Sequence, residues 1–360
     1  MYLRKRCLSI ILVATLVATS IFNSQNLHAQ NNTNSKDKEE NYSEIRKLPD
    51  GGEVYVYNIN GVENDFPIPP KGFIPMNATD EQLLEYGFPA RPKDKNELLQ
   101  WEDMMKHYKN TPIPKIISTQ IKHGLKRKEN YTIKNSVNNQ LLNWSGYVDY
   151  VNSNTLRSVQ GDFTQPTEKS DSVANAYESS WIGIGGVNTA ALLQAGTAMH
   201  NYQYTAFYEY IDEYNNDPNG QINIASINIS PGDDVHMYVT YLYSNRVANF
   251  YVADYTNGGS QSIFVNLDNN YYDGSTVEWI DERPTLKYSD GTKAFANLAD
   301  FGTISWFNCK SYNSSNVWND LTSLSHQYVS MWSTGGKYML ASPNTPYSST
   351  NFYDVWLNAN

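Results

Sequence analysis

The side chains most able to do chemistry in this chain are carboxylates and amides, and they cluster in two short stretches. In STVEWIDERP (Ser275–Pro284) the two-residue period of a strand puts Glu278, Ile280 and Glu282 on one face. Val277, Trp279, Asp281 and Arg283 take the other face. Four residues of strand separate the Cα atoms of Glu278 and Glu282 by about 13 Å, too far for a carboxylate pair sharing a proton. A working Glu282 therefore needs a helper from another strand. Gln194, in AALLQAG, is an amide set among small and apolar residues, and if buried it must be hydrogen-bonded. A Glu–Gln pair suits hydrolysis: the carboxylate takes a proton from water, and the amide donates to an oxyanion without competing for that proton. On periodicity alone, a satisfied core glutamine and a surface glutamate remain the simpler reading.

Other catalytic signatures are missing. The sequence has no GxSxG, no HExxH and no glycine-rich loop ending in Lys-Ser/Thr. His200, His236 and His326 are scattered without ligand spacing, so no metal and no cofactor is expected. Of the two cysteines, Cys7 falls in an N-terminal apolar run, and Cys309 reads as a small buried hydrophobe. From Asn139 onward there are 8 Lys and Arg against 21 Asp and Glu, an acidic balance that disfavours nucleic acid as a partner.

The elements that must position these residues follow from the chain's organisation. Arg4, Lys5 and Arg6 precede an apolar run from Leu8 to Phe22 and a small residue at Ala29, the pattern of a secretory signal over residues 1–29. A secreted, extracellular monomer with no membrane association after signal removal is the expectation. Residues 30–138 read as a leader or prosegment. In it, residues 30 to about 45 are polar enough to be disordered, and EVYVYN (Glu53–Asn58) fits a strand. Thr79 to Gln82 fits a capping box for a short helix stopped by Gly87, and Asn96–Tyr108 fits an amphipathic helix. A basic, loop-like piece with Lys122, Lys126, Arg127 and Lys128 marks a cleavable boundary. From residue 139 to 360, about a dozen short alternating runs separated by Gly, Asn, Asp and Pro predict an all-β sandwich or barrel.

The chain also resembles a known family. NWSG (Asn143–Gly146), SSWIGIGG with Trp181, ALLQAG with Gln194, AFYEY with Glu209, VEWIDE with Glu282 and ADFGTISW from Ala299 occur in the order found in the glutamic peptidases, the eqolisins, most like their bacterial branch. The resemblance implies a concanavalin-like β-sandwich of two antiparallel sheets with a substrate cleft on its concave side. It implies an endopeptidase acting on polypeptides through water, with no metal or covalent intermediate, an acidic optimum and insensitivity to pepstatin. It places the catalytic pair on Gln194 and Glu282, and substrate contacts on Trp144, Trp181 and Glu209. The fungal members carry acids where this chain has Gly185, Ala198 and Thr205, and those acids surround the catalytic pair. The charge asymmetry suggests that the leader inhibits the body, its basic linker and its Asn96–Tyr108 helix covering the acidic cleft. The alternative function is a non-catalytic concanavalin-like module that binds carbohydrate or protein, which would have no need of Gln194 and Glu282 in their motifs.

Overall fold

The computed structural model describes residues 37–124 and 140–359, apart from 152–154, 171–172, 174–175, 213–219, 268–271, 273, 288–291 and 316. All of them belong to one unit, Lys36–Asn360. The leader contributes strands β1 (Lys38–Glu40), β2 (Tyr42–Lys47), β3 (Glu53–Ile59), β4 (Val62–Ile68), β5 (Ile116–Ser118) and β6 (Ile121–Lys122). It also contributes helices α1 (Asp80–Glu85) and α2 (Lys95–Met105). The body carries β7 (Gln140–Leu141), β8 (Trp144–Tyr150), β9 (Leu156–Thr164), β10 (Ala176–Gly185), β11 (Leu192–His200), β12 (Gln203–Ile211) and β13 (Ile222–Asn228). There follow β14 (Asp234–Leu242), β15 (Val247–Asp254), β16 (Ser260–Asn266), β17 (Thr276–Glu282), β18 (Thr285–Lys287), β19 (Lys293–Phe295) and β20 (Asn297–Leu298). The last are β21 (Thr303–Asn313), β22 (Trp318–Asp320), β23 (Ser325–Trp332), β24 (Met339–Pro343) and β25 (Phe352–Trp356).

Most of the described strands form two layers, and β19-β18-β6 make a separate small sheet. One sheet runs β1-β5-β13-β12-β11-β10-β17-β8-β23. The other runs β2-β3-β4-β16-β15-β14-β9-β21-β25-β24-β23. Strand β23 belongs to both, pairing with β8 through Val329 and with β24 from Met331, so the sandwich is laced together at one end. Pairing is antiparallel except for two short parallel contacts, β7 with β23 and β10 with β20. Alternation fills the layer between the sheets: Ile182, Leu193, Ala195, Met199, Val277 and Trp279 from the first sheet meet Val159, Phe163, Met237, Phe250, Ile263 and Trp306 from the second. Cys309 is buried in this same layer.

The leader is not an appendage. Its β5 adds to β13 and its β4 adds to β16, so both sheets are extended at the same edge by leader strands. The stretch expected to be disordered is a correction: Lys38–Glu40 and Tyr42–Lys47 are strands, because backbone pairing with β5 and β3 supplies the order that their polar side chains cannot. Thr79 caps α1 in a capping box with Gln82, and Gly87 follows with φ at 71°. Helix α2 is capped by Asp94 and places Trp101, Met104 and Met105 with Leu83 and Phe88 against Tyr238, Tyr251 and Ala253. Those tyrosines lie on the outer face of the second sheet, so α2 does not cover a cleft in the first. The nearly buried Lys310 fixes the dock by donating to Glu97 (2.8 Å) and Gln100 (2.9 Å).

Candidate active site

The face of the first sheet turned away from the sandwich core carries Gln194, Glu209, Trp144, Trp181 and Glu282, all fully buried. The register orders them. Gln194 pairs with Glu209 on one side and Gly183 on the other, and Gly183 pairs with Glu278. One step along, Phe207, Gly196, Trp181 and Ile280 form the next row. One step further, Thr205, Ala198, Ser179, Glu282 and Trp144 form a third. Gln194 and Glu282 thus lie diagonally across the row of Trp181 and Gly196. On a regular sheet that separates their Cα atoms by about 16 Å.

Glu282 is tightly held. Trp181 Nε1 donates to Oε2 at 2.9 Å, and Asn143 Nδ2 donates to Oε1 at 2.7 Å. His123 Nδ1 lies 3.0 Å from Oε2, and its Nε2 lies 2.8 Å from Gln221 Oε1. The imidazole is stacked on Phe207, with ring centroids 5.0 Å apart and planes 6° from parallel. Gln221 Nε2 donates to Asn223 Oδ1 at 2.7 Å, which turns Oε1 toward the histidine. Burial lowers the His123 pKa, but the charges of Glu282 and then Glu209 outweigh it and push it up to about 9. An imidazolium at neutral pH donates from both nitrogens, which matches both acceptors.

Two strands from Glu282, Gln194 Nε2 donates to Glu209 Oε2 at 2.6 Å. Gln194 Oε1 is buried with no hydrogen-bond partner among the described residues. A buried carbonyl oxygen without a partner is a ready acceptor for water. Trp144 stacks edge-on against Trp181, with centroids 4.9 Å apart, and both lie in a small apolar cluster with Leu192, Phe207 and Ile280. Two glycines give the site its flatness. A Cβ on Gly196 would fall within 2.6 Å of Trp181 Cβ, and Gly146 holds φ at 137° beside the Trp279 carbonyl.

Of the residues expected from sequence, the fold brings Glu282 together with Trp181, and Gln194 together with Glu209. The two pairs share one face of the first sheet. Glu278, on the Gln194 row, is fully buried. Arg283 points to the other side, where Nε donates to the Leu142 carbonyl at 2.8 Å and the guanidinium sits over Phe295. Lys126, Arg127 and Lys128 lie outside the described residues. Sequence reading missed His123, Asn143 as a donor, and Gln221. The one available signal for His123 was a histidine in the basic run shortly before the NWSG motif. No group of three or more His, Cys, Asp or Glu is arranged to hold a metal ion among the described residues.

Comparison with known proteins bears on the family and the fold. Residues 142–352 match the model of the peptidase A4 family. No curated protein sequence matches the chain. Among solved structures, a scytalido-glutamic peptidase with a transition-state analogue inhibitor is similar at a TM-score of 0.51 and 22% identity, over 60% of this chain and 98% of that one. A second structure of that enzyme, with a peptide-based analogue, gives 0.50 at 22% identity over the same shares. The eqolisin SCP-B with the tripeptide Ala-Ile-His gives 0.49 at 21%, also over 60% and 98%. At these identities the likeness speaks to the fold of the body, and the family match covers more than half the chain. The chain belongs to the peptidase A4 family, the glutamic peptidases.

Proposed function

We propose that the chain is a secreted endopeptidase that cleaves polypeptides in acid, using a water held between Glu282 and Gln194. The observation that supports this is the pair of groups on one sheet face: a carboxylate with donors on both oxygens, and a buried amide oxygen without a hydrogen-bond partner among the described residues. A water between them gives one hydrogen to Glu282 and the other to Gln194 Oε1, leaving its lone pair for a peptide carbonyl. Glu282 takes the proton as the C–O bond forms. The second hydrogen of Gln194 Nε2 meets the developing oxyanion while the first stays on Glu209, a contact of a type worth about 3 kcal/mol of barrier. Glu282 then returns the proton to the departing nitrogen as the C–N bond breaks. Trp181 and Asn143 keep the carboxylate aimed, and Trp144 backs Trp181.

The described leader reaches Glu282 through His123, which supports a role for residues 30–138 as an inhibitory prosegment. Its imidazole takes a hydrogen-bonding place on the carboxylate that the attacking water needs. The buried contact between His123 and Glu282 supports latency of the intact chain, and activation requires that this segment leave the carboxylate. The basic sequence at Lys126–Lys128, exported with the body behind the signal at residues 1–29, is the candidate processing site.

The test is digestion of an unfolded protein from pH 3 to 7, with and without pepstatin. Glu282→Gln and Gln194→Ala are each expected to abolish cleavage while circular dichroism is unchanged. Retained activity in either would overturn the mechanism.

A further inference from the structure

The leader crosses the site in a way that shows how the body grips a peptide backbone. The Gln221 carbonyl accepts from Thr119 N at 3.1 Å, and Gln221 N donates to the Ile121 carbonyl at 2.9 Å. Ile121 and Lys122 then pair with Leu286 and Thr285 of β18, three residues beyond Glu282. The Gly124 carbonyl, next along the chain from His123, accepts from Asn143 Nδ2 at 3.0 Å. These contacts use main-chain groups of the leader, which any peptide carries.

Asn143 stands out because one nitrogen serves two partners. Its Nδ2 carries two hydrogens, and the two acceptors within reach are Glu282 Oε1 at 2.7 Å and the Gly124 carbonyl at 3.0 Å. The residue is anchored to the same strand end it serves, since its own carbonyl accepts from Arg283 N at 3.1 Å. Its side chain is fully buried, so water does not compete for either bond. We infer that Asn143 is the positioning residue that couples substrate to catalyst: one hydrogen aligns Glu282, and the other takes a backbone carbonyl of the bound peptide close to the scissile bond. A peptide seated without that carbonyl in place leaves the amide free to turn, and the carboxylate loses its aim. This inference rests on the peptidase reading above. The titratable groups beside Glu282 are His123 from the leader and, acting on that imidazole, Glu209 from β12. Trp181 supplies the remaining donor.

The experiment uses the full-length chain, activated by incubation in acid and assayed on an unstructured peptide. Asn143→Ala is expected to lower kcat/KM at least tenfold, to raise KM, and to move the acidic limb of the kcat/KM profile to higher pH. The limb moves because a bond to the charged form of Glu282 is lost. Asn143→Asp, which keeps the shape and loses both donors, should move it further. A purely structural role would lower stability without moving that limb. The second arm needs no variant: each carbonyl of the substrate is replaced in turn by a thioamide, a poorer acceptor. One position other than the scissile bond should cost the wild type about tenfold and cost Asn143→Ala nothing more. Unchanged KM and limb in the variants, or no non-scissile thioamide penalty in the wild type, overturns the inference while leaving the peptidase reading intact. A wild type that cleaves no peptide removes both.

Discussion

His123 Nδ1 and Glu282 Oε2 lie 3.0 Å apart with neither side chain exposed to solvent, joining a leader residue to the proposed catalytic carboxylate. A buried pair of this kind contributes little net stability, but removing one member leaves an unpaired charge at a cost of about 3–5 kcal/mol. The leader's hold on the cleft therefore hangs on His123. In His123→Ala the intact chain should cleave an unfolded substrate at pH 5 before any new N-terminus appears, whereas the wild type should show a lag that ends with processing. Equal lags in the two proteins would remove His123 from the inhibitory contact.

Much of the body was legible in its alternation. VEWIDE shows on its face which residues line the site and which enter the core, and the structure keeps Glu282 out and Trp279 in. The motif order likewise put Trp181 near Glu282, where its indole donates. What a strand pattern cannot carry is register between distant strands. Nothing in ALLQAG says that Gln194 aligns with Glu278 and lies diagonal to Glu282, since that depends on pairing through β10. The leader was less legible still. Lys38–Glu40 lacks any apolar face, and its order comes from main-chain bonds to β5, which composition does not record. Asn143 enters the sequence only as the first residue of NWSG, and its amide between two acceptors is visible only in the structure.

The core between the sheets holds carboxylates that the proposed reaction does not use. Asp281 accepts from Trp306 Nε1 at 3.1 Å and neighbours Asp354, which accepts from Ser145 Oγ at 2.9 Å. Burial raises Asp281 to about 6 and Asp149 to about 8, and burial followed by the nearby Asp281 raises Asp354 and Glu178 as well. The folded state therefore binds more protons than the unfolded one, whose carboxyls titrate near 4, so stability must fall as pH rises from about 4 through about 6 to 8. Each such group contributes a slope of up to about 1.4 kcal/mol per pH unit within its window. His123, raised to about 9, acts in the same direction, because its stabilising proton is lost as pH climbs through that value. Thermal melts should show Tm highest near pH 4 and falling toward pH 8. Asp149→Asn should flatten the fall between pH 6 and 8. A Tm that rises with pH over that range would contradict the buried, protonated core.

Trp181 reads from the sequence as an apolar wall, yet its indole nitrogen is one of the donors that fix Glu282. Replacing it by phenylalanine keeps an aromatic ring against Trp144 and removes the hydrogen bond. A hydrogen bond to a charged group is worth about 1.5–3 kcal/mol, so Trp181→Phe should lower kcat/KM by about ten- to a hundredfold. The loss should sit mainly in kcat if the bond orients the carboxylate, and mainly in KM if the ring only holds substrate. Steady-state kinetics on one peptide separates the two.

Gly196 tests whether the row between Gln194 and Glu282 must be flat. A Cβ there would meet the Ser180 carbonyl and come within 2.7 Å of Trp181 Cα, both of them backbone atoms of the paired strand that cannot swing aside. Gly196→Ala should push β10 and β11 apart, destabilise the fold by about 1–3 kcal/mol and move Trp181 off Glu282. Activity should be lost well below the melting temperature, because the indole bond fails before the sheet does. Gly259→Ala is the control, since a Cβ at that position meets nothing within 4 Å. It should leave both Tm and rate unchanged, and a Gly196→Ala enzyme as active as this control would show that the row between Gln194 and Glu282 tolerates a side chain.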